Sequence, residues 1–315
     1  VTFPTLTPGR AIEGISAVLL PYGSDERPDW TTFRQLLDRT WSAGLTPAVN
    51  MDTGYVNLLT DDERARMLAE TQDVADGRRF VAGAFIEGRA GDPVALYRTE
   101  IDAIRRAGGT PIVFQSTALT SRDDDGIVAL YREVARDGGP LLAFELGQMF
   151  APFGRIYSDD LFARLLDIEG IVGAKHSSLD RTVEWRRLSL RDRARPDFAI
   201  YTGNDLAIDM VFYGSDYLLG LSAFHVEAFA VRDRLWRQRD PRAFLLNDLL
   251  QYLGHLAFRA PVPAYRHSAA QFLKIRGVIR SDRPHPAGAV RPDSDLPLLE
   301  DVARRIDDLL AEIAS

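Results

Sequence analysis

Two patterns of apolar and polar positions alternate along this chain. Short apolar runs of strand length are followed by longer stretches in which apolar residues recur every three or four positions. The runs predict strands at 14–22, 45–51, 79–85, 110–116, 140–146, 171–177, 198–203 and 217–224. The stretches between them predict helices at 30–43, 61–76, 93–107, 124–137, 159–168, 181–193, 205–213 and 226–239. In the first helix Trp30, Phe33, Leu37, Thr40 and Trp41 fall on one stripe, the face that turns to a core. Thr60 and Glu63 have the spacing of a capping box, which satisfies free N–H groups at the start of the second helix. Several strands are nearly continuous apolar runs, as expected of a parallel sheet covered on both faces.

Eight strand–helix units within roughly 225 residues fit a closed parallel barrel. A doubly wound open sheet is the competing arrangement, but no glycine-rich dinucleotide turn follows the first strand. After residue 240 the strand pattern stops, and helices are predicted at 242–259, 263–276 and 295–314, with Gly277 as a C-cap. The expected fold is an α/β protein, a (β/α)8 TIM barrel over 1–240 with a C-terminal helical appendage, 241–315, packed on it.

Composition narrows the function. A net charge of -7 argues against nucleic acid as a partner, because phosphate binding needs a basic surface. No apolar run is long enough to span a membrane, and VTFPTLTPGR has no charged stretch leading into an apolar one, so a cytoplasmic protein is expected. The absence of cysteine excludes disulfides and thiolate zinc sites. Lysine plus arginine total 38, yet Lys175 and Lys274 are the only lysines, which leaves 36 arginines. Guanidinium replaces an ammonium wherever only a solvated charge is needed, but it cannot lose a proton and attack a carbonyl. The two remaining lysines therefore need separate explanations. Lys274 lies off the apolar stripe of its helix and reads as a surface or salt-bridge residue. Lys175 lies in Gly173-Ala174-Lys175-His176-Ser177-Ser178, inside the sixth strand, where burial would favour a neutral, nucleophilic amine.

The segment GIVGAKHSSLDRT resembles the Schiff-base lysine motif of the dihydrodipicolinate synthase and N-acetylneuraminate lyase superfamily of class I aldolases. Tyr201-Thr202-Gly203-Asn204-Asp205 and the stretch from Gly214 to Ser222 are similar to its Gly-x-Asp and Gly-x-x-Ser signatures. Pro21 ends the first strand as the family's Thr-Pro does, and residues 59–64 match the start of its second helix. The resemblance covers residues 14 to about 280 and implies a barrel lyase with no metal or organic cofactor, usually a homodimer or homotetramer.

Two departures stand out against that family. Its Gly-Thr-Thr-Gly-Glu-like loop, which binds a 2-oxo acid carboxylate, reads Met51-Asp52-Thr53-Gly54-Tyr55 here. Thr53 and Gly54 remain, but Asp52 would repel a substrate carboxylate. The strand-five tyrosine that relays protons is replaced by Phe144, with Glu145 beside it. Glu145 and Tyr55 are therefore candidate acid/base groups, with Thr53, Asp52, Phe144, Gln115, Ser222 and His225 as candidate substrate contacts. Glu87 and Arg155 are weaker candidates, Asp205 reads as a helix cap, and His176 should turn to the helix-covered face.

The expected function is a Schiff-base-forming lyase, an aldolase or dehydratase, acting on a small oxo acid or sugar-derived carbonyl compound. The altered loop raises a ketone without an adjacent carboxylate as one such substrate. A barrel that has lost catalysis and serves as a binding or regulatory protein is the alternative. Pyridoxal phosphate on Lys175 is disfavoured, since no glycine-rich phosphate cradle is evident.

Overall fold

Eight parallel strands close into a barrel in a computed structural model that describes residues 4–136 and 138–315. The strands are β1 Gly14–Ala17, β2 Thr46–Val49, β3 Val81–Ala84, β4 Thr110–Val113, β5 Leu141–Leu146, β6 Ile171–Ser177, β7 Ala199–Thr202 and β8 Asp216–Leu219. Each pairs with the next, and β8 closes on β1 through Gly14↔Tyr217. The surrounding helices are α1 Trp30–Ser42, α2 Asp61–Ala75, α3 Pro93–Arg106, the short α4 Thr117–Thr120, α5 Asp124–Ala135, α6 Asp159–Leu166, α7 Arg181–Ala194 and α8 Val226–Arg237. Helices α9 Arg242–Ala257, α10 Tyr265–Ile275 and α11 Leu296–Ala314 follow. Residues 1–3, at the start of the expected barrel unit, and residue 137, at the end of an expected helix, lie outside the described residues. Among those residues no helix is long and apolar enough to cross a membrane.

Local chemistry explains most boundaries. Thr60 accepts from the Glu63 backbone N–H at 3.2 Å while Glu63 accepts from the Thr60 N–H at 2.8 Å, so the capping box forms. Gly277, at φ +69°, follows α10 in the left-handed conformation that ends many helices. Three expectations need correction. The first strand stops at Ala17 rather than residue 22, and the eighth at Leu219, where the chain enters a 3-10 turn, Leu221–Phe224. Glycine suits position 220, since a Cβ there would lie 3.0 Å from both Thr53 Oγ1 and the Tyr265 ring. The helix expected at 205–213 is a 3-10 turn, Ile208–Tyr213, ended by Gly214 at φ +113°. Residues just before it stay irregular because the Asp205 side chain bonds the Leu221 N–H instead of capping a helix.

The core has two parts. Inside the barrel, Phe85, Phe114 and Phe144 stack edge to face, with ring centroids 5.3 and 5.2 Å apart. A larger apolar layer between strands and helices runs without a break into the appendage through Leu246, Leu250, Phe272 and Val302. That continuity fixes α9–α11 against the barrel and brings residues beyond 250 to its mouth.

Candidate active site

Strand register sorts the chemistry into two rows. In β5 and β6, Phe144 is paired with Lys175 and Glu145 with His176, and His176 is paired with Thr202 of β7. Because side chains alternate along a strand, Lys175 enters the barrel and His176 leaves it.

Lys175 is 7% exposed, and its Nζ lies 4.4 Å from the centroid of the Phe144 ring. Gly203, just past β7, makes room for it, since a Cβ there would come within 2.7 Å of Lys175 Cε. Burial lowers the pKa of the amine, against the opposing pull of the Asp52 and Asp205 charges. Lys175 lines a small cavity with Asp52, Thr53, Ser177, Asp205 and Tyr265, and Phe150 and Phe258 also form its wall. The cavity measures about 20 Å³, room for a single water.

Both acids in this chamber are held away from their usual ionisation. Burial raises the Asp205 carboxyl to about 7, although the Leu221 N–H donates to Oδ1 at 2.7 Å. Burial also raises Asp52, which Lys175 and Arg266 partly offset. The Tyr265 hydroxyl lies 3.0 Å from Thr53 Oγ1, and burial raises its pKa, so the phenol keeps its proton. Its ring stacks on Phe258 at 4.3 Å. Ser177 Oγ is buried without a hydrogen-bond partner.

The structure thus gathers Lys175, Asp52, Thr53 and Phe144 from the sequence candidates and adds Asp205, Tyr265 and Ser177. Asp205 was mistaken for a cap because Asn204-Asp205 before an apolar stretch reads the same either way. Tyr265 stood in the buried stripe of an appendage helix, and no local signal separates a site tyrosine from a core one there.

Other candidates lie elsewhere. Glu145 faces the helices, where His176 Nδ1 lies 2.6 Å away and Arg187 Nε donates at 2.8 Å. Burial alone would raise its pKa, but His176 and Arg187 hold it down to about 2, so it is a fixed carboxylate and not a proton shuttle for Lys175. Tyr55 packs against Tyr22, His285 and Arg266, outside the residues that line the cavity, and burial pushes its phenol up to about 12. Its backbone, at φ 63°, turns the side chain away. Gln115 clamps the Arg155 backbone, with bonds of 2.8 and 2.9 Å. Ser222 donates to Leu219 O, and Ser16 Oγ lies 2.9 Å from it. His225 caps α8 and lies 3.1 Å from Glu227 and 3.3 Å from Asp307. Glu87 caps α4 through Thr117, and Arg155 pairs with Asp124. Lys274 forms the surface ion pair its position suggested, with Asp282 at 3.0 Å. Among the described residues, no group of three or more His, Asp or Glu side chains is placed to hold a metal ion.

No protein-family model matches the chain. The curated 4-hydroxy-tetrahydrodipicolinate synthase of Oenococcus oeni is 22% identical over 223 residues, spanning 69% of this chain and 72% of that protein. The enzyme of the same name from Aromatoleum aromaticum is 27% identical over 198 residues, 61% of this chain and 63% of its own length, so less than two thirds of that relative is spanned. Among solved structures, a prophage protein belonging to the dihydrodipicolinic acid synthase family from E. coli K12, in complex with pyruvate, matches with a TM-score of 0.81 at 16% identity. That match covers 94% of this chain and 98% of the other. Dihydrodipicolinate synthase from Thermotoga maritima matches with a TM-score of 0.79 at 16% identity, covering 95% and 99%. At such identities the structural matches speak for a shared fold.

Proposed function

We propose that the chain is a divergent member of the dihydrodipicolinate synthase family and a Schiff-base-forming lyase acting on a small carbonyl compound. The observation that carries this reading is Lys175, a buried amine with a lowered pKa at the wall of a closed chamber between two carboxyl groups. Its lone pair adds to the carbonyl carbon to give a carbinolamine. Loss of the carbinolamine oxygen as water leaves an iminium, with Tyr265 and Thr53 delivering the proton that the departing hydroxyl needs. The iminium draws electrons from the neighbouring carbon. A C–H there then loses its proton to Asp205, or the C–C bond to a hydroxyl-bearing carbon beyond it breaks as that hydroxyl gives up its proton and becomes a carbonyl, and either path leaves an enamine. Loss of a hydroxyl as water from that enamine would make the enzyme a dehydratase, protonation of its carbon would serve an aldolase, and in both cases water then hydrolyses the resulting iminium to free Lys175. The chamber holds space for one water, so binding a substrate requires lining side chains to move.

The test is borohydride trapping with a panel of small aldehydes and ketones, followed by mass analysis of the Lys175 peptide. An adduct on that peptide, lost in Lys175→Ala, is the expected result. A folded wild-type protein that gains no mass with any carbonyl is a binding protein instead. The carboxylate form of Asp205 accepts the proton and the neutral form of Lys175 attacks, so turnover should rise with pH through about 7. Asp205→Asn should remove the part of that limb due to the carboxyl.

A further inference from the structure

Around the chamber several donors are engaged by the protein itself, while carboxyl acceptors stay open. A 2-oxo acid needs N–H or O–H groups aimed at its carboxylate. In the loop after β2, the Gly54 N–H donates to Met51 O and the Tyr55 N–H to Asp52 O, each at 2.9 Å. The Leu221 N–H past β8 donates to Asp205, and the Thr53 hydroxyl is paired with Tyr265. Lys175 is the only cation among the described residues lining the cavity, and covalent chemistry uses its nitrogen. Arg266 is directed elsewhere, donating to Asn57 Oδ1 at 3.1 Å and to Pro263 O at 3.2 Å. By contrast, the Asp52 side chain lines the cavity and accepts no hydrogen bond from the described residues, and Ser177 Oγ is buried there without a partner.

A substrate carboxylate placed here would lie against two protein carboxyl groups. Hydroxyl groups on either side of a carbonyl meet what they need: Asp52 and Asp205 accept from them, and Ser177 both donates and accepts. Resting on the Schiff-base reading of Lys175, we infer that the chamber takes an uncharged ketone with hydroxyls on the carbons beside its carbonyl, in preference to a 2-oxo acid. Asp52 and Asp205 are the residues that make this choice.

The experiment compares dihydroxyacetone with pyruvate in cyanoborohydride trapping at Lys175, each normalised to labelling of free Nα-acetyl-lysine. Dihydroxyacetone should half-label the wild-type protein at a concentration about tenfold or more below that of pyruvate. Asp52→Asn and Asp205→Asn should each shrink that ratio, by about tenfold for the stronger of the two. Equal or better labelling by pyruvate in the wild-type protein overturns the inference while leaving the Schiff base intact, and needs no variant to fold. An unchanged ratio in both folded variants overturns the role of the two acids. Absence of label with both ketones and with propionaldehyde removes the Schiff-base reading itself, and this inference with it.

Discussion

On the outer face of β6, both ring nitrogens of His176 are engaged, with Glu145 Oε1 and Ser178 Oγ each 2.6 Å away. Arg187, fully buried, donates to both Glu145 oxygens and also reaches Asp159 at 2.6 Å and Tyr157 O at 2.6 Å. Nearby, Glu184 accepts from Thr202 and Ser215. On the inner face, one residue earlier, Lys175 stands among carboxyl groups without closing an ion pair on either, and Ser177 is left unbonded. Both clusters are buried and polar, yet only the outer one is saturated. Saturation is what a polar group needs to be tolerated in a core, whereas open valences inside a chamber are held ready for a ligand. Burial and charge therefore do not by themselves mark a catalytic residue in this molecule.

The comparison breaks most sharply at Arg187. Arg187→Met keeps the bulk but leaves the Glu145 carboxylate without its guanidinium, and should lower stability by about 3–5 kcal/mol in a denaturant melt. Glu145, held down to about 2 in the folded chain, contributes stability that is full above the ordinary carboxylate range and lost as pH falls toward 2. The variant should therefore begin to unfold at a higher pH on acid titration, with labelling of Lys175 unchanged in the molecules that remain folded. The inner cluster should respond in the opposite way. Tyr265→Phe keeps the stack on Phe258 but removes the hydroxyl paired with Thr53, and should slow turnover by about 10²-fold while the lost hydrogen bond lowers stability by only about 1 kcal/mol. A fall in Tm with turnover intact would reassign Tyr265 to structure. The smallest contrast uses consecutive serines. Ser178→Ala, which takes a partner from His176 and from the Asp180 N–H, should cost about 1–3 kcal/mol. Ser177→Ala should stay within about 0.5 kcal/mol, because no bond is lost.

The barrel was legible because eight repeats of one alternating pattern leave few ways to fold. Lys175 was legible for a different reason, the scarcity of lysine in a chain with 38 basic residues. Glu145 shows a rule applied unevenly: the alternation that turns His176 outward turns Glu145 outward too, once Phe144 is set inside with Lys175. Asp52 and Thr53 could be placed because the loop after β2 resembles the family's carboxylate-binding loop. Tyr265 could not, since it lies 90 residues beyond Lys175 in sequence and reaches the chamber only through the path of the appendage.

Tyr265 and Phe258 belong to the last quarter of the chain, yet they form one wall around an amine carried by β6. During translation, all eight strands are therefore synthesised before the wall that shields this nitrogen exists. A nascent barrel would carry Lys175 without that wall until α9 and α10 have emerged and docked.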